Sequence, residues 1–162
     1  MELADVADDL TEVLLTETQI HDKIAELARR VEQDYAGERP LLVGVLKGAV
    51  MVMADVAREL KMHVDMDFMA VSSYGASTES SGVVRILKDL DADLEGRHVI
   101  IVEDIIDSGL TLAWLRANLE SRGPASLEIL ALLRKPDAAK VDVDVKYFGF
   151  DIPNAFVVGY GL

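Results

Sequence analysis

Short apolar runs at 41–46, 98–102 and 127–133 constrain this sequence more than any other feature, because the first two each lead through polar residues into a helical pattern. A run of about six apolar residues without polar alternation belongs to a strand buried on both faces. Strand, helix and strand in that order argue for an α/β fold, a mostly parallel twisted sheet with helices on both faces. In such sheets ligands bind beyond the carboxyl ends of the strands. Lys47, Asp104 and Lys135 each lie just past the end of an apolar run, so three polar clusters should meet at one rim.

The remaining elements follow from periodicity and breakers. Thr16 and Gln19 form a capping-box pattern ahead of a helix whose apolar face is Ile20, Ile24, Leu27, Ala28 and Val31. Gly37 and Pro40 stop it. A second helix is expected over 49–62 and a third over 110–121, the latter with Leu112, Leu115 and Leu119 inward and ended by Gly123-Pro124. Further strands are expected at 64–70, 83–87 and 145–150. Residues 72–82 are rich in Ser, Thr and Gly and read as a mobile loop; residues 89–97 read as an acidic turn. Neither a repeat nor a linker divides the 162 residues, a length that suits one domain.

The net charge of −13, with no basic stripe, argues against a nucleic-acid partner. It would also repel a small anionic substrate, so any phosphate site must be local, built from backbone N–H groups and hydroxyls or bridged by a cation. With no cysteine, thiolate metal sites and disulfides are excluded, and a reduced cytoplasmic setting is allowed. The start of the chain is acidic, unlike a secretory signal, and Lys47 and Asp55 interrupt the apolar stretches, so no membrane span is expected. His21, His63 and His98 do not share a ligand spacing, which disfavours zinc. Trp114, Met51 and Met53 read as packing or subunit-contact residues.

Residues 102–111, Val-Glu-Asp-Ile-Ile-Asp-Ser-Gly-Leu-Thr, carry the strongest chemical signal. An apolar strand delivers two adjacent carboxylates, and a loop with a third acid opens a helix. The first N–H groups of a helix lack internal partners and carry the positive end of its dipole. With the Ser108 and Thr111 hydroxyls they make a cradle for a phosphate monoester, and Gly109 allows close approach. Taken alone, such an acid-rich turn also fits a plain helix cap. Lys47 alone fits a solvated strand end, 72–82 an ordinary flexible hairpin loop, Lys135 a surface lysine, and Phe156 a core aromatic.

The run 102–111 resembles the phosphoribosyl pyrophosphate (PRPP) signature of type I phosphoribosyltransferases, and its wording is close to that of the hypoxanthine-guanine enzymes. The resemblance extends through Leu46-Lys47-Gly48, Ser73-Tyr74, residues 85–91, residues 133–136, and residues 149–153 leading to 156–160. It implies the type I fold, with a small hood from the terminal segments. It also implies Mg2+-dependent transfer of a 5-phosphoribosyl group from PRPP to hypoxanthine or guanine, the product being IMP or GMP.

By the same resemblance, Glu103 and Asp104 hold the ribose hydroxyls, directly or through Mg2+. Asp107 is the catalytic general base or proton acceptor at purine N7. Asp107, Ser108, Gly109, Leu110 and Thr111 bind the 5′-phosphate. Lys47 and Gly48 meet the pyrophosphate, after a peptide that is often cis in the family. Ser73 and Tyr74 close over it as a lid, Lys135 donates to the 6-oxo group, Phe156 stacks on the base, and the Val157 backbone meets its edge. A homodimer or homotetramer is implied, and the preference among hypoxanthine, guanine and xanthine stays open.

Family members usually continue past this chain's end with an Asp-Tyr pair, an arginine and a short strand. For a molecule that ends at Leu162 the resemblance therefore implies weaker pyrophosphate binding and lower turnover. Competing readings are a PRPP-sensing regulator on the same fold, a receiver domain, whose paired acids would follow its first strand, and a P-loop NTPase, whose phosphate-loop string is absent.

Overall fold

The computed structural model describes residues 2–73 and 84–162. Six strands form one sheet in the order β3-β2-β1-β4-β5-β6. They are β1 (Leu41–Leu46), β2 (Asp65–Ser73), β3 (Val84–Lys88), β4 (His98–Ile106), β5 (Ser126–Arg134) and β6 (Tyr147–Asp151). All neighbours are parallel except β2 and β3, which run antiparallel with a register irregularity between Ala70 and Val71.

Alternation along the strands divides the core into two layers. Leu42, Ile100, Val102, Leu130 and Tyr147 face helices α1 (Glu17–Asp34) and α2 (Val50–Glu59). Leu41, Val43, Val99, Ile101, Ile129 and Ala131 face helix α3 (Leu110–Glu120). The first helix forms as its cap dictates: the Thr16 hydroxyl accepts from Gln19 N–H, and the Gln19 side chain accepts from Thr16 N–H. Its stripe of Ile24, Leu27, Ala28 and Val31 is buried. Ile24, Leu27 and Val31 each contribute roughly 1.5–3 kcal/mol relative to exposure, and the single methyl of Ala28 less. Trp114 packs into the α3-side layer and Met53 is buried in the other, whereas Met51 is exposed.

Several boundaries differ from the sequence expectation. The second helix is 10 residues long and ends at Glu59, short of the expected 62. Strand β6 starts at Tyr147, because Val143 and Val145 leave the sheet to pack beside α3. The largest difference is in β4, which continues through the acidic pair to Ile106 instead of yielding to a loop at Glu103. Pairing with β5 explains this: Glu103, Ile105 and Ile106 lie opposite Ala131, Leu133 and Arg134. Backbone pairing outweighs the low strand propensity of two acids.

Ahead of α1, residues Leu3–Asp9 form a 3-10 turn with no buried residue, and beyond β6 the chain runs irregularly to Leu162. Among the described residues no helix is long and apolar enough to cross a membrane.

Candidate active site

Because β1, β2, β4, β5 and β6 are parallel, their carboxyl ends share one rim. The chain leaves β1 through α2 toward β2, and β4 through α3 toward β5, on opposite faces and in opposite directions. The crevice between β1 and β4 is therefore the switch point of the sheet.

Two sequence-predicted segments touch across it. The Leu46–Lys47 peptide is cis, and Gly48 follows it at the entrance to α2. Gly48 lies so close to β4 that a Cβ on it would stand 2.1 Å from Asp104 Oδ2. Absence of a side chain is thus what lets the β1 turn lie against the Asp104 carboxylate. The Lys47 side chain is exposed.

Glu103 and Asp104 are both partly buried at the end of β4. Burial pushes the Glu103 carboxyl well above the usual carboxylate range, and the neighbouring Asp104 adds to the shift. Burial also raises Asp104, opposed by backbone N–H groups, including that of Ile105 at 2.8 Å. Two desolvated adjacent acids form an arrangement that a divalent cation relieves. Hard oxygen donors in so small a number suit Mg2+, which prefers one or two carboxylates with substrate oxygens and water. Among the described residues, three or more acids or histidines nowhere gather into a complete ligand set.

The turn after β4 is shaped for close approach. Gly109 caps α3 with φ +81°, a left-handed conformation that favours glycine. The Ser108 hydroxyl accepts from Leu110 N–H at 3.3 Å, yet the N-cap place expected for Asp107 or Ser108 in the capping alternative is taken by Gly109, with no side-chain cap bond. Leu110 and Thr111 begin the helix. The Ser108 carbonyl accepts from Lys140 N–H at 2.9 Å, which ties the segment after β5 to the turn.

Lys135 is not a surface lysine. It is 8% exposed, and its Nζ lies 3.5 Å from Oδ2 of Asp107, whose side chain is largely solvent-accessible. Lys135 N–H donates to the Ile106 carbonyl at 2.9 Å, so its backbone is fixed to the end of β4. A buried ammonium with one long ionic contact retains donor capacity for a further acceptor. The adjacent Arg134 forks onto Asp151 at 2.7 and 3.1 Å and lies over the Phe148 ring. That fork clamps the end of β6, from which the chain runs to Phe156. Phe156 is 93% exposed, so its core-packing alternative fails, while Val157 packs against the α1–α2 layer. Ser73 ends β2 at the same rim, paired with Val84, whereas Tyr74 and residues 74–82 of the expected lid lie outside the described residues.

Residues 12–162 match the phosphoribosyl transferase domain family. The chain belongs to that family. This phosphoribosyltransferase is 58% identical over 160 residues to the hypoxanthine-guanine phosphoribosyltransferase of Mycobacterium tuberculosis, a match covering 95% of this chain and 79% of the relative. It is 49% identical over 154 residues to the enzyme of the same name from Bacillus subtilis, covering 95% and 86%. The structure of a hypoxanthine phosphoribosyltransferase from Staphylococcus aureus superposes with a TM-score of 0.94 at 46% identity, covering 98% of this chain and 86% of that one.

Sequence reading missed three participants at this rim. Arg134 and Asp151 look like ordinary surface charges until the β5–β6 register places them opposite each other. The third is Tyr160, whose hydroxyl donates to Asp55 on α2. They are 105 residues apart, and local sequence carries no signal for such a pair.

Proposed function

We propose that this chain is a single-domain purine-salvage enzyme, residues 1–162, that transfers the 5-phosphoribosyl group of PRPP to hypoxanthine or guanine. The products are IMP or GMP and pyrophosphate. The observation that carries the reading is the meeting, at one rim, of Gly48 against Asp104 and of buried Lys135 against Asp107.

In this reading the leading N–H groups of α3 and the Ser108 and Thr111 hydroxyls hold the 5′-phosphate. Glu103 and Asp104 bind the ribose hydroxyls and would hold Mg2+, which, when bound, neutralises charge on the departing pyrophosphate. The Lys47 and Gly48 backbone meets that pyrophosphate, and Ser73 and Tyr74 close over it, keeping water from the reactive ribose carbon. The bond from C1′ to the pyrophosphate oxygen breaks, its electron pair leaving with pyrophosphate, while purine N9 bonds to C1′. Asp107 accepts the proton released at N7.

Lys135 donates to the 6-oxo oxygen. Adenine offers an amino group there, which would leave the Lys135 N–H aimed at that position without an acceptor. Phe156 lies over the base and the Val157 backbone contacts its edge. The same reading includes a cytoplasmic setting and a homodimer or homotetramer.

The test is product formation from PRPP and Mg2+ with hypoxanthine, guanine, xanthine and adenine in parallel. IMP and GMP are expected and AMP is not. Strong adenine turnover would remove Lys135 from base selection, and no transfer to any base would overturn the activity itself.

A further inference from the structure

The chain end folds back onto the pyrophosphate side of the rim. Gly159, Tyr160 and Gly161 have φ of +97°, +54° and +93°, a run of left-handed residues that turns the backbone sharply. The turn lays Gly161 against the carbonyl of Gly48, where a Cβ would stand 2.7 Å from the oxygen and 3.5 Å from Met51 Cγ. A non-glycine residue in this conformation persists only where its surroundings fix it. For Tyr160 they do. Its ring packs against the α1–α2 layer, and its hydroxyl donates to the Asp55 carboxylate, which also pairs with Arg58. The Asp55 side chain is only 17% exposed, so this bond is largely shielded from water.

Contacts then run in series. Asp55 stands on α2, the helix that starts two residues after Gly48. Gly161 covers the Gly48 carbonyl, and Gly48 in turn touches the Asp104 carboxylate. On the other side of Tyr160, three and four residues back, are Val157 and Phe156, the base-contacting residues of the proposed reaction.

We infer that Tyr160 and Asp55 act together as a positioning pair, a strap that fixes the Lys47–Gly48 turn and links it to the base-binding segment. Neither residue touches substrate. This rests on the phosphoribosyl-transfer reading, and it adds that affinity for the pyrophosphate half of PRPP depends on a hydrogen bond remote from it. Removing the bond frees the 159–161 turn from the Gly48 carbonyl and loosens the backbone that meets pyrophosphate, while the Asp107 chemistry is untouched.

The test is a double-mutant cycle. Tyr160→Phe keeps the ring and removes only the donor; Asp55→Ala removes the acceptor; Asp55→Asn restores an acceptor oxygen. Steady-state kinetics with hypoxanthine are run alongside thermal unfolding of each variant. Tyr160→Phe and Asp55→Ala are each expected to raise KM for PRPP about fivefold, with kcat within about twofold of the parent. The double variant should be no worse than the weaker single one, and Asp55→Asn should recover the parental KM. A parental KM in Tyr160→Phe, additive effects, or a fall only in the folded fraction would overturn the positioning role while leaving the activity standing. A parent chain that forms no IMP would end both readings together.

Discussion

Asp107 and Lys135 form the one described ionic contact between the turn after β4 and the turn after β5, and their unequal burial sets their roles apart. An exposed carboxylate can accept a proton from a base that enters from solvent; a buried ammonium can only hold what reaches it. Asp107→Asn should lower kcat about 100-fold or more, within the usual contribution of a positioned base, with PRPP affinity largely kept. Single-turnover kinetics checks the first part and equilibrium binding of PRPP the second; full turnover would remove Asp107 from the chemistry. Lys135→Ala should raise KM for hypoxanthine and guanine at least about tenfold, as expected for loss of a charged donor to a buried acceptor, and leave KM for PRPP nearly unchanged. The types and spacing of these two residues were legible in the sequence. That Lys135 is buried and Phe156 bare was not, because both depend on what packs over them.

At the scale of elements, the turn after β1 lies against the Asp104 side chain because position 48 carries no side chain of its own. Gly48→Ala places a methyl where Asp104 Oδ2 now lies. The carboxylate is the free end of a side chain, so it will swing aside and the fold will survive. Displacing a ligand-orienting group by about 1 Å costs on the order of 100-fold in rate. We therefore expect near-parental thermal unfolding with kcat/KM for PRPP reduced by about that factor.

A second acid supports a different element. Asp67 on β2 is buried and accepts from Phe68, Asp91 and Ala92 N–H groups at 2.8, 2.9 and 2.9 Å, pinning the acidic turn before β4. Burial alone would raise its pKa, but the three backbone bonds outweigh it and hold the carboxyl below its ordinary value. A depressed folded pKa gives stability that is fully present above the unfolded value of about 3.9 and is lost as pH falls through the lower folded value. Asp67→Asn should cost about 1–3 kcal/mol at neutral pH, measured by urea unfolding. The gap between variant and parent should narrow below about pH 4. A gap independent of pH would show that shape, not charge, is what Asp67 supplies. The pattern announced a strand at 64–70, which the structure carries on to Ser73 with Met66 exposed, and it gave no sign of the inward acid, since an Asp in an alternating strand ordinarily faces water. The same logic explains β4. Its apolar stretch at 98–102 announced a strand, yet its continuation through Glu103 and Asp104 depends on pairing with β5, a non-local term.

At the scale of the whole molecule, the parallel order of the strands was readable because hydrophobic runs and helical patterns alternate along the chain. The antiparallel β3 was implied only by the alternative that took 72–82 as a hairpin loop. Net charge belongs to this scale too. A charge of −13 opposes the approach of PRPP, itself an anion, through a field that salt screens over about 8–10 Å. At constant free Mg2+, raising ionic strength from about 20 to 150 mM should lower KM for PRPP by roughly twofold. A rise instead would mean that local cations such as Lys47 dominate capture.

The one-sided arrangement of the rim also leaves an opposite edge where β4 begins, near the contact between Gly96 N–H and the Gly123 carbonyl. Glu95 is exposed there, and the chain contains no cysteine. Glu95→Cys would supply a unique thiol for coupling to a bead or electrode. Every immobilised copy would then present its open mouth outward, and reagents in flow would reach it unobstructed.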